Sequence, residues 1–450
     1  MGENFANKWD ERAVYLPALQ QGYSEFCYQH KSKVRGGDLP SNMSLRDLDM
    51  LRKQSKFFFQ KYALYSVGQH DVSVVKKKCI LTERDEDKTI LIGDSGGFQL
   101  GKGTLKGLKD IDDKNPTNIM DAWSGFGEVE RVTRICNNYF DYSMTLDAPL
   151  WAVRDDVKNK TPFGKLSTQQ LIDLTEEHLK YHANSRGKSC RETKWLNVLQ
   201  GIDSIQPGTQ KAWYDMAKQF DFDGWAIAGE VGPRNTEGVV PFLRFAKQMQ
   251  LDKQFDGKEW IHFLGMTRLR WAVLFTALQR VLRKTASEKI QVSYDSASFS
   301  IQGGAHDEAV LLPNLTNDIK SWRHMPKEEF PAAKKYAVKT PVHKFPMQYD
   351  FSPFSKYVTL NDMNVNGGLF ERRQFDTLSS QILIAHNCYT YARSFIEANE
   401  LAFSSKAADL KRVPQQLSDA LGIVELIFTD EKWDTLITSN ENLLNETLGM

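Results

Sequence analysis

From residue 89 onward, apolar and polar positions fall into a repeating pattern. Short apolar, β-branched runs end in a polar or Gly-rich corner, and most are followed by a stretch of helical periodicity. Residues 89–99 (TILIGDSGGFQ) are the clearest unit. Ile90, Leu91 and Ile92 read as a buried strand with Asp94 at its exit. Gly96 and Gly97 let the backbone turn sharply and approach a ligand. Ser95, Phe98 and Gln99 then offer a hydroxyl, a ring and an amide, which suit a flat heterocycle. The plainer reading of the same residues is a strand, a turn and a surface loop. Further strands are expected at 142–149, carrying Asp147, and at 195–201, ending at Gln200. Others are expected at 224–232, ending at Gly229 and Glu230, at 260–266 with Leu264, and at 290–297 with Asp295. Helices are expected at 167–185 with Ser167 as N-cap, at 208–220, at 236–250 interrupted by Pro241, and at 267–284.

Strands alternating with helices predict parallel βαβ connections. Six legible units, with fainter strands nearer the N-terminus, fit an α/β fold of the (β/α)8 TIM-barrel type; a doubly wound sheet is the rival. The corners favour the barrel. Asp94, Asp147, Gln200, Glu230 and Asp295 all fall at the carboxyl ends of strands, and a barrel gathers those ends in one mouth. The barrel is expected over residues 1–400, with a long insertion at 313–375 rich in Pro, Lys and aromatics. Mainly helical extensions flank it, including a C-terminal one over 401–450. A helix is expected at 41–53, capped by Ser41 or Ser44, and a long one at 378–403. Phe57, Phe58 and Phe59 lie among basic residues, a mixture that suits stacking on bases; the stronger reading is a core-facing aromatic run.

Composition narrows the classes. Lys plus Arg number 58 and Asp plus Glu 57 in 450 residues, so any polyanion surface must be a local patch. Candidate patches are 186–194, 268–283 and 334–344. The five cysteines are scattered, which predicts free thiols in a reducing, cytoplasmic setting and argues against a cysteine-rich zinc site. No signal core or long apolar run is evident. Residues 96–103 come within one position of a phosphate-binding loop, but Gly103 lacks the hydroxyl that would hold magnesium. His178 and His182, four apart on a helix, lack a third ligand and read as core or surface histidines.

The carboxylates carry more. Two together at a barrel mouth permit covalent displacement at a sugar carbon: one attacks, and the other manages the proton of the base. Asp295 follows Tyr294 and has small neighbours, which leaves room for a substrate.

The run Asp94-Ser95-Gly96-Gly97-Phe98-Gln99 resembles the signature of the queuine-type tRNA-guanine transglycosylases. Later corners follow in the same order: Leu146-Asp147, Val198 to Gly201, Phe222 to Gly224 leading to Ala226 to Gly229, Phe263 to Gly265, and Tyr294-Asp295. His386-Asn387, with Tyr389 and Tyr391, resembles a late helix of that family. The resemblance runs from about residue 85 to 400 and implies a (β/α)8 barrel. It implies Asp295 as nucleophile and Asp94 as general base. Asp147 and Gln200 would read the edge of the base, Phe98 and Leu264 would sandwich it, and Gly229 would contact its 7-substituent. Ser95, Gln99 and Glu230 complete the expected binding set.

Two departures shape the expectation. Residues 313–385 hold no cysteine, so the family's zinc subdomain is expected to be absent or degenerate, with His386 the one remaining candidate ligand and no cofactor or metal expected. Glu230 stands where the family has a neutral residue; it either selects a different 7-deazaguanine or pairs with Arg234. The missing zinc cysteines, the lack of a recognisable RNA-binding module at the C-terminus and the large unfamiliar flanks fit the branch that modifies DNA. The expected function is exchange of guanine in DNA for a 7-deazaguanine such as 7-cyano-7-deazaguanine (preQ0), with accessory DNA-opening proteins as partners. The alternatives are the same exchange on tRNA, a non-catalytic nucleic-acid-binding subunit, and a glycosidase that hydrolyses the bond.

Overall fold

The structure is a computed structural model. It describes residues 2–449 apart from 32–33, 35–38, 41, 70–74, 106–107, 109–110, 112–113, 187–191, 235–237, 330–350, 359–361 and 364–375. Its centre is a closed barrel of parallel strands. In chain order these are β1 (Val14–Leu19), β2 (Tyr62–Ser66), β3 (Ile90–Asp94), β4 (Tyr142–Met144), β5 (Lys194–Leu199), β6 (Gly224–Ile227), β7 (Trp260–Phe263) and β8 (Gln291–Ser296), with β8 pairing back onto β1. The α/β barrel is therefore the fold. The two strands that were illegible in the sequence are β1 and β2, buried runs without a polar corner of the later kind.

Helices cover the outside: α1 (Gly97–Gly101), α2 (Pro116–Ser124), α3 (Glu128–Tyr139), α4 (Thr168–Ser185), α5 (Thr209–Ala217), α6 (Val240–Leu251), α7 (Leu269–Thr285), α8 (Ser298–Ala305) and α9 (Thr377–Ala402). Ser167 caps α4 in a reciprocal box with Gln170, Ser167 Oγ accepting from the Gln170 N–H at 3.2 Å and Gln170 Oε1 from the Ser167 N–H at 2.9 Å. The terminal helices α10 (Gln415–Thr429), α11 (Trp433–Ser439) and α12 (Glu441–Leu448) pack on the barrel's outer helices. Asn445 Oδ1 accepts the Val239 and Val240 N–H groups at the start of α6, and buried Arg270 of α7 donates to the carbonyls of Glu446, Thr447 and Gly449.

Three expectations need correction. Residues 41–53 form only a single 3-10 turn, Leu45–Leu48, capped by Ser44 with Asp47, while Ser41 lies outside the described residues. Asp47 and Asp49 bind nearby backbone N–H groups, at Ser44 and Leu51, and so compete with a continuous helix. Pro241 does not interrupt a helix; it sits in the first turn of α6, where its missing N–H costs nothing. The strand at 142–149 ends at Met144; the Thr145 N–H still reaches the Leu196 carbonyl, and the N–H groups of Leu146 and Ala148 are held by side chains. The three phenylalanines are core, as the stronger reading had it: Phe57, Phe58 and Phe59 are buried, and the Phe57 ring stacks on Phe354 at 3.9 Å.

Which side chains enter the barrel follows from rings that meet across it. Trp260 of β7 lies 4.6 Å from Tyr142 of β4 and 6.2 Å from Tyr62 of β2, and neither strand is its neighbour. All three rings therefore point inward and form a floor. Strand side chains alternate with period two. The register Ser66 to Asp94 and Gln291 to Trp260 then carries Ser66, Asp94, His262, Ser293 and Asp295 into the same interior.

The turn after β3 is tight. Gly96 has φ +96°, and a Cβ there would stand 2.8 Å from the Cα of Gly68. Gly96→Ala should cost roughly 1–3 kcal/mol in urea unfolding. Gly422→Ala, in the open on α10, should be neutral or stabilising by about 0.5–1 kcal/mol. Equal midpoints for Gly96→Ala and the parent would refute the constraint.

Candidate active site

The mouth is built from strand ends and the first residues after them. Asp94 closes β3, and Asp295 is next to last in β8. Gln200 follows β5 directly, and Leu264 follows β7. Asp94 accepts a hydrogen bond from the Gly96 N–H at 3.2 Å, and the Ser66 hydroxyl, which donates to Gln99 Oε1, is close enough to favour the Asp94 charge. Burial raises its pKa above the ordinary carboxylate value, and the charge of Asp295 pushes the same way. Register points both aspartates into the barrel at the same end, in agreement with that effect.

Asp147 belongs to the same group. Burial, together with the charge of Asp94, raises its pKa to about 7. Its partner is Gln200, whose amide Nε2 donates to Asp147 Oδ2 while its Oε1 accepts from the Leu150 N–H at 2.7 Å. Both ends of the Gln200 amide are thereby fixed. Gly97 is the third wall, because a Cβ there would stand 2.5 Å from Asp147 Oδ1.

The irregular segment that carries Asp147 is held by one face of α4. The Leu146 N–H donates to His182 Nε2 at 3.0 Å, His178 Nδ1 lies 3.3 Å from the Leu146 carbonyl, and the Ala148 N–H donates to Thr175 Oγ1 at 3.0 Å. Trp123 Nε1 donates to His178 Nε2 at 2.9 Å, so the proton of His178 is on Nδ1 and goes to Leu146. Burial lowers the pKa of His178 to about 4 and of His182 to about 3, so both are neutral. The two histidines are core residues that position a carboxylate.

The remaining expected residues are distributed as follows. Ser95 is turned into the protein and buried. Gln99 Oε1 lies 3.4 Å from Ser66 Oγ. Phe98 is 61% exposed, its ring 5.8 Å from Trp151, with Lys102 Nζ over both rings. An exposed ring on a rigid turn is a ready stacking surface. Gly229 has φ +61° and faces open space. Glu230 takes the Ser204 N–H and hydroxyl, tying the corner after β6 to the one after β5. Ser204 is thus one partner of Glu230.

His386 is occupied structurally: Ser352 Oγ lies 2.9 Å from its Nδ1, and its Nε2 lies 3.1 Å from the Val310 carbonyl. Among the described residues no three His, Cys, Asp or Glu side chains gather to hold a metal, and no helix is long and apolar enough to cross a membrane. The arginines at 268–283 do not make one groove. Arg270 binds C-terminal carbonyls, Arg280 packs on Phe403 at 4.0 Å, Arg283 binds the Ile290 carbonyl, and Arg268 feels the charges of Arg234 and Arg323. The patches at 187–191 and 334–344 lie outside the described residues.

Sequence reading passed over His262, Ser66, Trp151 and Gly265. The Gly265 N–H donates to Asp295 Oδ1 at 2.6 Å, and His262 Nε2 lies 3.3 Å from the same oxygen. The available signal was a histidine at an inward strand position, in step with Asp295. No family model matches the chain, and no curated protein matches it.

The raised pKa of Asp147 has a thermodynamic consequence. The native protein keeps a proton that the unfolded chain releases, so this residue's contribution to stability falls as pH rises from about 4 to about 7. Asp147→Asn removes that penalty and keeps an acceptor for Gln200. Its stability relative to the parent should climb across that window, by a few kcal/mol at most, and stay level above it. Parallel stability–pH curves for the two proteins would contradict this.

Proposed function

We propose that this protein is a guanine transglycosylase that exchanges guanine in DNA for a 7-deazaguanine, most simply 7-cyano-7-deazaguanine. The observation that carries the reading is the pairing of Asp94 with Asp295 in one barrel mouth, each strand-borne and within reach of the other's charge. The sequence resemblance assigns the roles, and the geometry is compatible with each.

In the proposed reaction an Asp295 carboxylate oxygen attacks C1′ of the target deoxyguanosine. The C1′–N9 bond breaks, its electron pair stays on N9, and the Asp94 carboxyl gives the base a proton as it leaves, which leaves Asp94 ionised for the next step. The sugar remains as an ester of Asp295. The incoming deazaguanine then gives its ring N–H proton to Asp94, its nitrogen attacks C1′, and the ester bond breaks to restore the Asp295 carboxylate. A base with a pKa above the usual carboxylate range suits this transfer near neutral pH. Asp295 Oδ1 is engaged by Gly265, which leaves Oδ2 for the sugar. Asp147 and Gln200 present fixed acceptor and amide groups to the edge of the base, and Phe98 supplies a face for its ring.

DNA is preferred to tRNA because residues 313–385 hold no cysteine, whereas the tRNA-acting members of the resembled family carry their zinc cysteines there. The target nucleotide must leave the stack to reach the mouth.

Incubation with labelled 7-cyano-7-deazaguanine and either duplex DNA or tRNA tests the reading. Label should enter DNA, and a denaturant-resistant protein–DNA adduct should form with the parent and not with Asp295→Ala. Asp94→Asn should slow exchange by about a hundredfold or more. Label entering tRNA alone would defeat the choice of DNA, and release of guanine without exchange would make the protein a hydrolase.

A further inference from the structure

The side chains nearest Asp295 form a buried chain that the proposed reaction leaves unused. Trp260 Nε1 lies 2.6 Å from Ser293 Oγ, and Ser293 Oγ lies 2.8 Å from His262 Nδ1. His262 Nε2 lies 3.3 Å from Asp295 Oδ1. His262 and Ser293 have no exposed surface, and Trp260 is nearly as buried. Register explains the gathering: Ser293 pairs with His262 across β8 and β7, so both point into the barrel with Asp295 one inward position further on.

Hydrogen-bond accounting fixes the proton. The indole N–H only donates, so it donates to Ser293 Oγ. The serine's own proton then needs an acceptor, and His262 Nδ1 is the one in reach. If Nδ1 carried the imidazole proton instead, the buried serine O–H would have nowhere to go. The proton of neutral His262 is therefore on Nε2, facing Asp295. At 3.3 Å the alignment falls short of a hydrogen bond, and Nε2 has no other partner. A buried ring N–H without an acceptor is costly, and a small rotation of the Asp295 carboxylate supplies one. Catalytic hydrogen bonds in a free enzyme are often long and tighten when the substrate binds.

We propose that His262 is a positioning residue for Asp295. Its Nε2–H, set by the Ser293 and Trp260 relay, joins the Gly265 N–H on Oδ1 and so holds the carboxylate with Oδ2 aimed at the substrate. The inference rests on Asp295 being the nucleophile. It adds why a carboxylate beside the charged Asp94, with buried Tyr15 on the neighbouring β1, keeps one oxygen ready: Oδ1 gains a second donor that brings no positive charge. The same donor assists the return step, when negative charge reappears on Asp295 as the ester bond breaks.

Two measurements test it. The first needs no turnover. Nitrogen-15 spectra of the free parent protein, with histidines labelled, should show His262 neutral and protonated on Nε2, and that signal should shift in Asp295→Asn. A proton on Nδ1, or a His262 signal indifferent to Asp295→Asn, overturns the proposal. The second compares variants that unfold at the parent's temperature. His262→Leu should lower kcat about a hundredfold with KM for the free base within about threefold, while His262→Gln, which keeps a donor in a similar place, should recover at least about tenfold. Ser293→Ala should lose less than His262→Leu and leave the side chain of His262 in place, so it serves where the histidine variants do not fold. An unchanged kcat in both His262→Leu and Ser293→Ala overturns the proposal. Should the parent itself fail to exchange bases, the transglycosylase reading falls, and the spectra still decide whether His262 serves Asp295.

Discussion

Three carboxylates crowded into one desolvated barrel mouth are the constraint on which the rest of this structure turns. Asp94 and Asp295 come from two strands and Asp147 from the irregular segment that follows a third, and burial together with a neighbouring carboxylate raises the pKa of both Asp94 and Asp147. Parallel closure makes the crowding unavoidable, because every strand delivers its last inward residue to the same end. Among the described residues no guanidinium or ammonium pairs with any of the three: the Gly96 N–H is on Asp94, Gln200 on Asp147 and the Gly265 N–H on Asp295, with His262 Nε2 3.3 Å from the last. A guanidinium in any of these places would hold its aspartate deep in the ionised range and block its face. Neutral donors orient the carboxylates and leave their affinity for protons high.

The same economy governs the scaffold around the mouth. The segment after β4 leaves the ladder early, so its backbone groups need other partners. Thr175, His178 and His182 supply them from a single face of α4, and the Trp123 indole fixes one of the histidines in turn. The turn after β3 needs no such props, because Gly96 and Gly68 let two backbones touch. One corner is held by side-chain hydrogen bonds and the other by the absence of side chains. Both leave a carboxylate fixed in place, while Phe98 on α1 stands exposed.

How much of this was legible depends on the range of the interaction. Period-two runs and helix caps are local, so β3 and β5 to β8, α4 with its Ser167 cap and α9 could be read from sequence alone. Strand-end carboxylates were legible for the same reason, since Asp94 and Asp295 sit where an apolar run stops. The two early strands lacked a polar corner to announce them. The capping potential of Ser44 was visible, but the competing side-chain bonds of Asp47 and Asp49 that stop the helix were not. Pro241 was ambiguous because a proline breaks a helix interior and starts a helix end, and only the neighbouring turn tells which. His262 was hidden most deeply. Its meaning depends on register between β7 and β8, a relation between segments about thirty residues apart that no local pattern encodes.

Charge distribution supplies the last step. A net charge near zero leaves no general attraction for a polyanion, so recognition of a nucleic acid would have to come from where the cations lie. On α7 most of them are committed: Arg270 to the C-terminal carbonyls, Arg280 to the face of Phe403, and Arg283 to the strand entrance. Arg268, which lies over the Trp271 ring, and Arg234 stand closer to the corner after β7. A Cβ on Gly265 would stand 3.9 Å from Arg234 Nη1, and Arg268 feels the charges of both Arg234 and Arg323. Like charges held together are as unfavourable as the carboxylates a few residues away. On the proposed reading one substrate relieves both strains: a nucleotide whose sugar meets Asp295 carries its phosphate to the rim, where repelling arginines would gain a counter-charge.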